Sequence, residues 1–455
     1  MAFSAALFIL ALLLLLTSQP TQASICIHYH DPLDGNQYTV MDCPEVHSNR
    51  VLYNKNVTLP LIIKDAAIDP FTISFSCGIS DSTRCRAAEE VCKRAGTMLG
   101  SILDIVQPIT VNVMFVSFCK TYGKCVSSTG GGPLILGSAR PAISHLMTDT
   151  LDGNRVREYP QALLKQFDNI NPHPEYKGQD IIAMFNSDHD WYFDHQSTSP
   201  IQAEQTSLLL IVLHEYIHGL GFLSNYSNDL YLKFQRLKSD LGVFLTPKRY
   251  VPVNVSPMYA SAPNLMAPQG FWGFLESAFD KFFYHKAANG TYVPVSRVTD
   301  NLNQFQGGNI LFDSLLEFIG DWLNSPQCEA ATTLAKEAVT PNTFMLMDPN
   351  NDDDEVVASV LYTSASEFMP GTSISHVDTE TYKDTTDFLM IPSVETNGMT
   401  FDEILKIRHA TQPLGKHLLQ FLTALGYRRS IDAGTSKGLV VYQPPNNLAG
   451  TTTSS

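Results

Sequence analysis

The sequence predicts an α+β fold built around one buried helix. Three observations carry this: short runs with period-two alternation, longer runs of helical period between them, and a mid-chain segment that is apolar almost all round. Phe71-Thr-Ile-Ser-Phe75 alternates like a strand. Thr83 to Val106 reads as a helix with Val91, Leu99, Ile102 and Leu103 near one side, and Ile109 to Val116 is β-rich again. Leu134-Ile-Leu136, after the Gly130-Gly-Gly-Pro133 turn, and Asp180 to Phe185 supply further strands. For the buried helix, Ser199 is a good N-cap, Pro200 suits the first helical position and Gln202 completes a capping box. Ser207 to Leu213 is the apolar stretch, and Gly219 and Gly221 supply the stop. Helical stretches follow at Gly270–Phe283, Leu311–Leu323 and Glu329–Ala338, and a last helix from Gln412 to Ala424 ends at Gly426.

The N-terminus reads as an export signal. Ala5 to Leu16 is an apolar run, and Thr21-Gln22-Ala23 before Ser24 fits the small-residue cleavage rule, although a basic leading region is missing. That run is shorter than the roughly 20 apolar residues of a membrane span. A soluble, secreted, extracellular product is therefore expected, with no membrane span. A net charge of −15 leaves no basic footprint for nucleic acid. Eight cysteines, seven of them between Cys26 and Cys125, agree with export and allow up to four disulfides of unassigned pairing. Asn56, Asn225 and Asn289 are candidate glycosylation sites, and Asn254 is a weaker one because Pro257 follows its serine. The expected organisation is a signal peptide over 1–23 and a cysteine-containing extension or propeptide over 24–70. An N-terminal catalytic subdomain over 71–221, a C-terminal subdomain over 222–430 and a polar tail over 431–455 follow.

His214-Glu215-Tyr216-Ile217-His218 matches H-E-x-x-H on the buried helix. Spacing of i, i+4 puts both imidazoles on one face, a turn apart, where both reach one Zn²⁺. Glu215 sits beside that face, where it can hold a water, take its proton during attack on a carbonyl and pass it to the leaving amine. Two histidines alone would be an ordinary helix pair, but polar groups on an apolar helix are costly without a partner. A catalytic zinc needs three protein ligands and an open position. The next residues begin H-x-x-G-x-x-H and then place Ser224 where another histidine would stand, so the third ligand comes from elsewhere.

At these residues the chain resembles the metzincin superfamily of zinc endopeptidases, which share H-E-x-x-H-x-x-G and a methionine-containing turn beneath the site. His214 to Gly221 fits the first element. The lack of an adjacent third histidine is similar to the leishmanolysin-like branch, where a long insertion precedes it. By that resemblance His376, in Ser373-Ile-Ser-His376-Val-Asp378, would be the third ligand, 155 residues beyond Gly221. Met390 would form the Met-turn, and Asp378 would be a partner for a histidine ring nitrogen. Asp378, Asp387 and Glu395 remain rival ligands. The resemblance implies a metzincin-like, two-subdomain zinc protease with a mixed sheet and an active-site helix, binding one catalytic Zn²⁺, with protein or peptide substrates and Glu215 as general base and acid.

Two other readings stand beside it. One is a secreted binding or adhesion protein retaining a structural zinc, and the other is a zinc hydrolase of a non-peptide amide. The Ser187 to His195 cluster reads as a strand edge and loop lining the cleft, although it holds metal-ligand residue types. Asp348 to Glu355 reads as a solvated acidic loop. A thiolate from the cysteine-rich part could cap the zinc in a latent form, and Tyr226 and Tyr382 are possible donors to an oxyanion.

Overall fold

The computed structural model describes residues 25–43, 69–124, 135–170, 173–252, 265–287, 289–348, 359–363, 365–393, 398–432 and 442–443. The expected signal peptide, the sequons at Asn56 and Asn254, Glu395, the acidic run 352–355 and most of the polar tail lie outside these residues.

The described chain is a mixed α/β structure with several sheets, consistent with α+β. Strands β1 (Ile25–Tyr29) and β2 (Tyr38–Asp42) open it. Then come β3 (Phe71–Cys77), helix α1 (Ser82–Ile102), β4 (Ile109–Val116), β5 (Gly137–Pro141), β6 (Ile143–Asp149), β7 (Val156–Pro160), β8 (Ile181–Asn186) and helix α2 (Leu208–Gly219). Strands β9 (Lys248–Arg249) and β10 (Phe274–Ser277) and helix α3 (Lys416–Leu425) follow.

One sheet runs β3-β4-β8-β5. Its first three strands are parallel, and β5 closes the edge antiparallel to β8. Inward residues Val111, Val113 and Phe115 of β4 are fully buried against α1 and α2, whose apolar sides join the same core. Every residue of α2 is buried, as its all-round apolarity requires. The helix sits directly on the sheet at its far end, since a Cβ on Gly219 would come 2.4 Å from the Ile181 side chain. Among the described residues no helix is long and apolar enough to cross a membrane.

A second sheet runs β9-β10-β7-β6-β1-β2. It takes β1 from the expected extension and β9 and β10 from beyond residue 221. The expected boundaries at 70 and 221 therefore divide the chain but not this sheet, because strand pairing between distant segments leaves no local mark in the sequence.

Other elements differ from expectation for similar reasons. Helix α2 begins at Leu208, with Ser207 and not Ser199 as N-cap. Thr206–Ser207 pairs in parallel with Trp191–Tyr192, which holds the backbone extended up to that point. The Asp194 carboxylate then accepts from Ser207 Oγ and Leu209 N. The expected helix over 270–283 is instead strand Gln269–Phe271, β10 and a short 3₁₀ turn at Phe279–Phe282. Its aromatic run suits either structure, and pairing of β10 with β7 decides it.

Cys26–Cys43 and Cys77–Cys85 are disulfides, and Cys119 is also disulfide-bonded. Cys92 and Cys328 are buried free thiols, so the even count does not translate into four bridges.

Candidate functional site

Helix α2 presents His214 and His218 one turn apart, as their spacing requires. The loop leading to Val377 brings His376 onto the same point. Its Nε2 lies 3.1 Å from that of His214 and 3.3 Å from that of His218, and the two helix histidines are 3.2 Å apart at Nε2. All three side chains are buried.

The hydrogen bonds at the far side of each ring fix its tautomer. His214 Nδ1 lies 2.7 Å from the Leu389 carbonyl, His218 Nδ1 2.7 Å from that of Phe222, and His376 Nδ1 2.9 Å from that of Thr372. A carbonyl only accepts, so each Nδ1 carries the proton and each Nε2 keeps a lone pair. Burial is the main force holding the rings neutral, pushing His214 down to about 4, His218 to about 3 and His376 well below the ordinary histidine value. The short Nε2 contacts are thus not hydrogen bonds. Three lone pairs aimed at one point repel unless a cation sits between them. Tetrahedral ligands at about 2.0–2.1 Å from a zinc ion would stand roughly 3.3 Å apart, which is the spacing here. The residues fit the ion.

Glu215 is buried beside this cluster, and burial pushes its carboxyl up to about 8, partly offset by a hydrogen bond from the backbone of Ala139 on the edge strand β5. Met390 lies in a buried 3₁₀ turn, Phe388–Met390, packed against α2. That turn supports the site through its backbone. The Leu389 carbonyl orients His214, and the Met390 carbonyl accepts from Val377 N at 2.8 Å, next to His376. Ile374, two residues before His376, has φ 57, a conformation that is strained for a β-branched residue.

Gly221 has φ 114, and a Cβ there would meet Pro160 at 3.2 Å and Leu425 at 3.3 Å. The chain turns there so that Phe222 can return its carbonyl to His218. Asp194 accepts from Phe401 N as well as from the start of α2, tying two distant segments to the helix. Neither the carbonyl partners nor Asp194 was legible beforehand, because no side-chain pattern encodes them.

Several expected residues take other places. The three rings take backbone carbonyls as their Nδ1 partners, and the described bonds of Asp378 are at a helix start. Asp378 caps the short helix Thr379–Tyr382, accepting from Thr381 N at 2.9 Å and Thr381 Oγ1 at 2.8 Å, while the Thr372 carbonyl holds His376. The rival Asp387 accepts from Leu418 N and so caps α3, whose N-cap Gly415 has no side chain of its own. Tyr226 bonds with Glu276 and Thr299, and the Tyr382 hydroxyl accepts from Val360 N. In the Ser187–His195 cluster, Asp188 bonds Ser117 and His189 bonds Thr206, as supports of the scaffold. The Nδ2 of Asn225, a candidate glycosylation site, donates to Glu158 and to the Leu275 carbonyl. Asn289 stays exposed in a turn whose Thr291 donates to its side-chain oxygen. Cys92 lies under Tyr216, and neither free thiol joins the histidines, so no cysteine cap forms among the described residues. A second cluster, His145 with Cys26 and Cys43, has both sulfurs committed to a disulfide.

Comparison with known proteins gives relatives but no assigned chemistry. Residues 26–455 match a family described as SPBPB7E8-like. A Schizosaccharomyces pombe protein described as "Uncharacterized protein PB7E8.01" is 24% identical over 395 residues, covering 82% of this chain and 65% of the relative. The chain thus spans about two thirds of that relative's length. No solved structure matches.

Proposed function

The chain belongs to the SPBPB7E8-like family, and from the histidine cluster of its site we propose that it is a secreted zinc-dependent endopeptidase of metzincin-like, two-subdomain organisation. One observation carries the reading: three neutral imidazoles from two distant segments aim their Nε2 lone pairs at one point, with Glu215 beside them. The sharp turn at Gly221, the Met390 turn beneath α2 and the antiparallel edge strand β5 beside the helix support the metzincin-like part. The apolar N-terminal run and the disulfides support export.

His214, His218 and His376 would hold the ion. Bound there, zinc supplies a Lewis acid that polarises a carbonyl and lowers the pKa of water. Glu215, its carboxyl kept ionised against the effect of burial by the charge of a bound ion, accepts the proton of the attacking water and returns it to the leaving amine. The backbone carbonyls of Leu389, Phe222 and Thr372 keep the three rings in register and in the required tautomer. Strand β5 offers the edge along which an extended peptide would lie.

Glu215→Gln keeps the shape of the side chain and removes the base. It should lower peptide hydrolysis by about 10²–10⁴-fold while zinc content stays that of the wild type. Wild-type hydrolysis by the zinc-loaded variant would overturn the reading.

A further inference from the structure

Near His218 lies a charge that the proposed chemistry does not use. Arg140 stands on β5, one residue beyond Ala139, whose backbone meets Glu215. Its Nε donates to the Pro32 carbonyl at 3.1 Å, and its guanidinium lies 5.3 Å from the centre of the Tyr29 ring. Ser138 Oγ donates to the same carbonyl at 2.7 Å, so the segment after β1 clasps the edge strand twice. These contacts fix the stem and Nε of Arg140. One terminal nitrogen packs against Gly35, where a Cβ would clash with it, and neither terminal nitrogen has a described hydrogen-bond partner.

The guanidinium lines a small pocket with Tyr29, Glu158, Gly221, Leu223 and Asn225. Gly221 N donates to the His218 carbonyl at 3.0 Å, so the pocket opens beside the end of the helix that carries the histidines. The carboxylate that shares this pocket is already engaged. Glu158 accepts from Tyr29 Oη at 2.5 Å, Asn225 Nδ2 at 2.9 Å and Lys248 Nζ at 2.7 Å. Among the described residues no carboxylate lies at ion-pair distance from Arg140, although Glu158, Asp34 and Asp31 are near enough to favour its charge. A planar guanidinium held in one orientation is suited to a carboxylate, which it can grip through two parallel N–H···O bonds.

We propose that Arg140 is a specificity-determining residue that pairs with an acidic side chain of the peptide substrate close to the scissile bond. The inference rests on the endopeptidase reading for its substrate class. It also gives the N-terminal segment a task, since Pro32 and Tyr29 hold the guanidinium in place.

The test separates recognition from chemistry. The zinc-loaded Glu215→Gln protein is titrated with a positional library of fluorescein-labelled peptides that carry Glu, Gln or Lys at one position at a time. At one position Glu should bind about 10–100-fold more tightly than Gln, the range of a charge-assisted pair. Arg140→Gln in the same background should remove that ratio, and Arg140→Lys should keep part of it. Equal binding of Glu and Gln peptides at every position, or a Glu preference that persists in Arg140→Gln, would overturn the proposal. The first of these outcomes is read on a protein with Arg140 intact, so it does not depend on the variant folding. Peptides bound with the Glu preference but not cleaved by the protein with Glu215 in place would overturn the endopeptidase reading alone.

Discussion

His376 and Asp378 stand two residues apart and do unrelated work. His376 directs its Nδ1 proton to the Thr372 carbonyl and its Nε2 to the histidine cluster, while Asp378 caps a helix. The motif spacing made His214, Glu215 and His218 legible, since i, i+4 geometry is local. Convergence of His376 was an expectation carried by resemblance, and the backbone carbonyls that orient the rings left no trace in the residue types. Asp378→Asn discriminates between the two roles of that carboxylate. Asn is as good an N-cap as Asp, so the variant should keep its zinc and its hydrolysis, with a stability loss below about 1 kcal/mol. Loss of zinc from Asp378→Asn, measured by metal analysis after dialysis, would return Asp378 to the histidine ring.

At the scale of elements, the strands Phe71–Cys77, Ile109–Val116 and Ile181–Asn186 and the C-terminal half of α2 were readable from periodicity. The start of α2 was not. Ser199-Pro200 carries a good local start signal, but a strand pairing and the Asp194 carboxylate place the real start at Leu208. Tertiary partners overrode local propensity. The end of α2 shows the opposite case, where one local residue is decisive. Gly221 has φ 114 with Pro160 and Leu425 close behind it. Gly221→Ala should therefore destabilise the fold by about 1–3 kcal/mol, because an L side chain at that φ is strained. Denaturant unfolding of the zinc-free protein measures it, and an unchanged midpoint would mean that the turn relaxes without cost.

For the molecule as a whole, the second sheet joins β1 to strands from beyond α2, and sequence alone could not reveal that long-range pairing. His145 sits at this joint, buried against the Cys26–Cys43 disulfide and bonded to Gln161. Burial pushes its pKa from the ordinary 6.5 down to about 4. Below pH 6.5 the unfolded chain takes up a proton at this ring, while the folded chain does so only near pH 4. The contribution of neutral His145 to stability is therefore full above pH 6.5 and declines as the pH falls from there towards 4. The stability difference between wild type and His145→Gln should narrow between pH 7.5 and pH 5, measured by urea unfolding at the two values. A constant difference would mean that the ring is not held neutral.

The remote third ligand joins both ends of the proposed chemistry, and one comparison tests it most directly: zinc content and casein hydrolysis of the purified protein, wild type beside His376→Ala. One zinc per chain with hydrolysis in the wild type, and both strongly reduced in the variant, is the expected result. Full zinc and undiminished hydrolysis in His376→Ala would contradict it, because the three Nε2 atoms would then not be holding one catalytic ion.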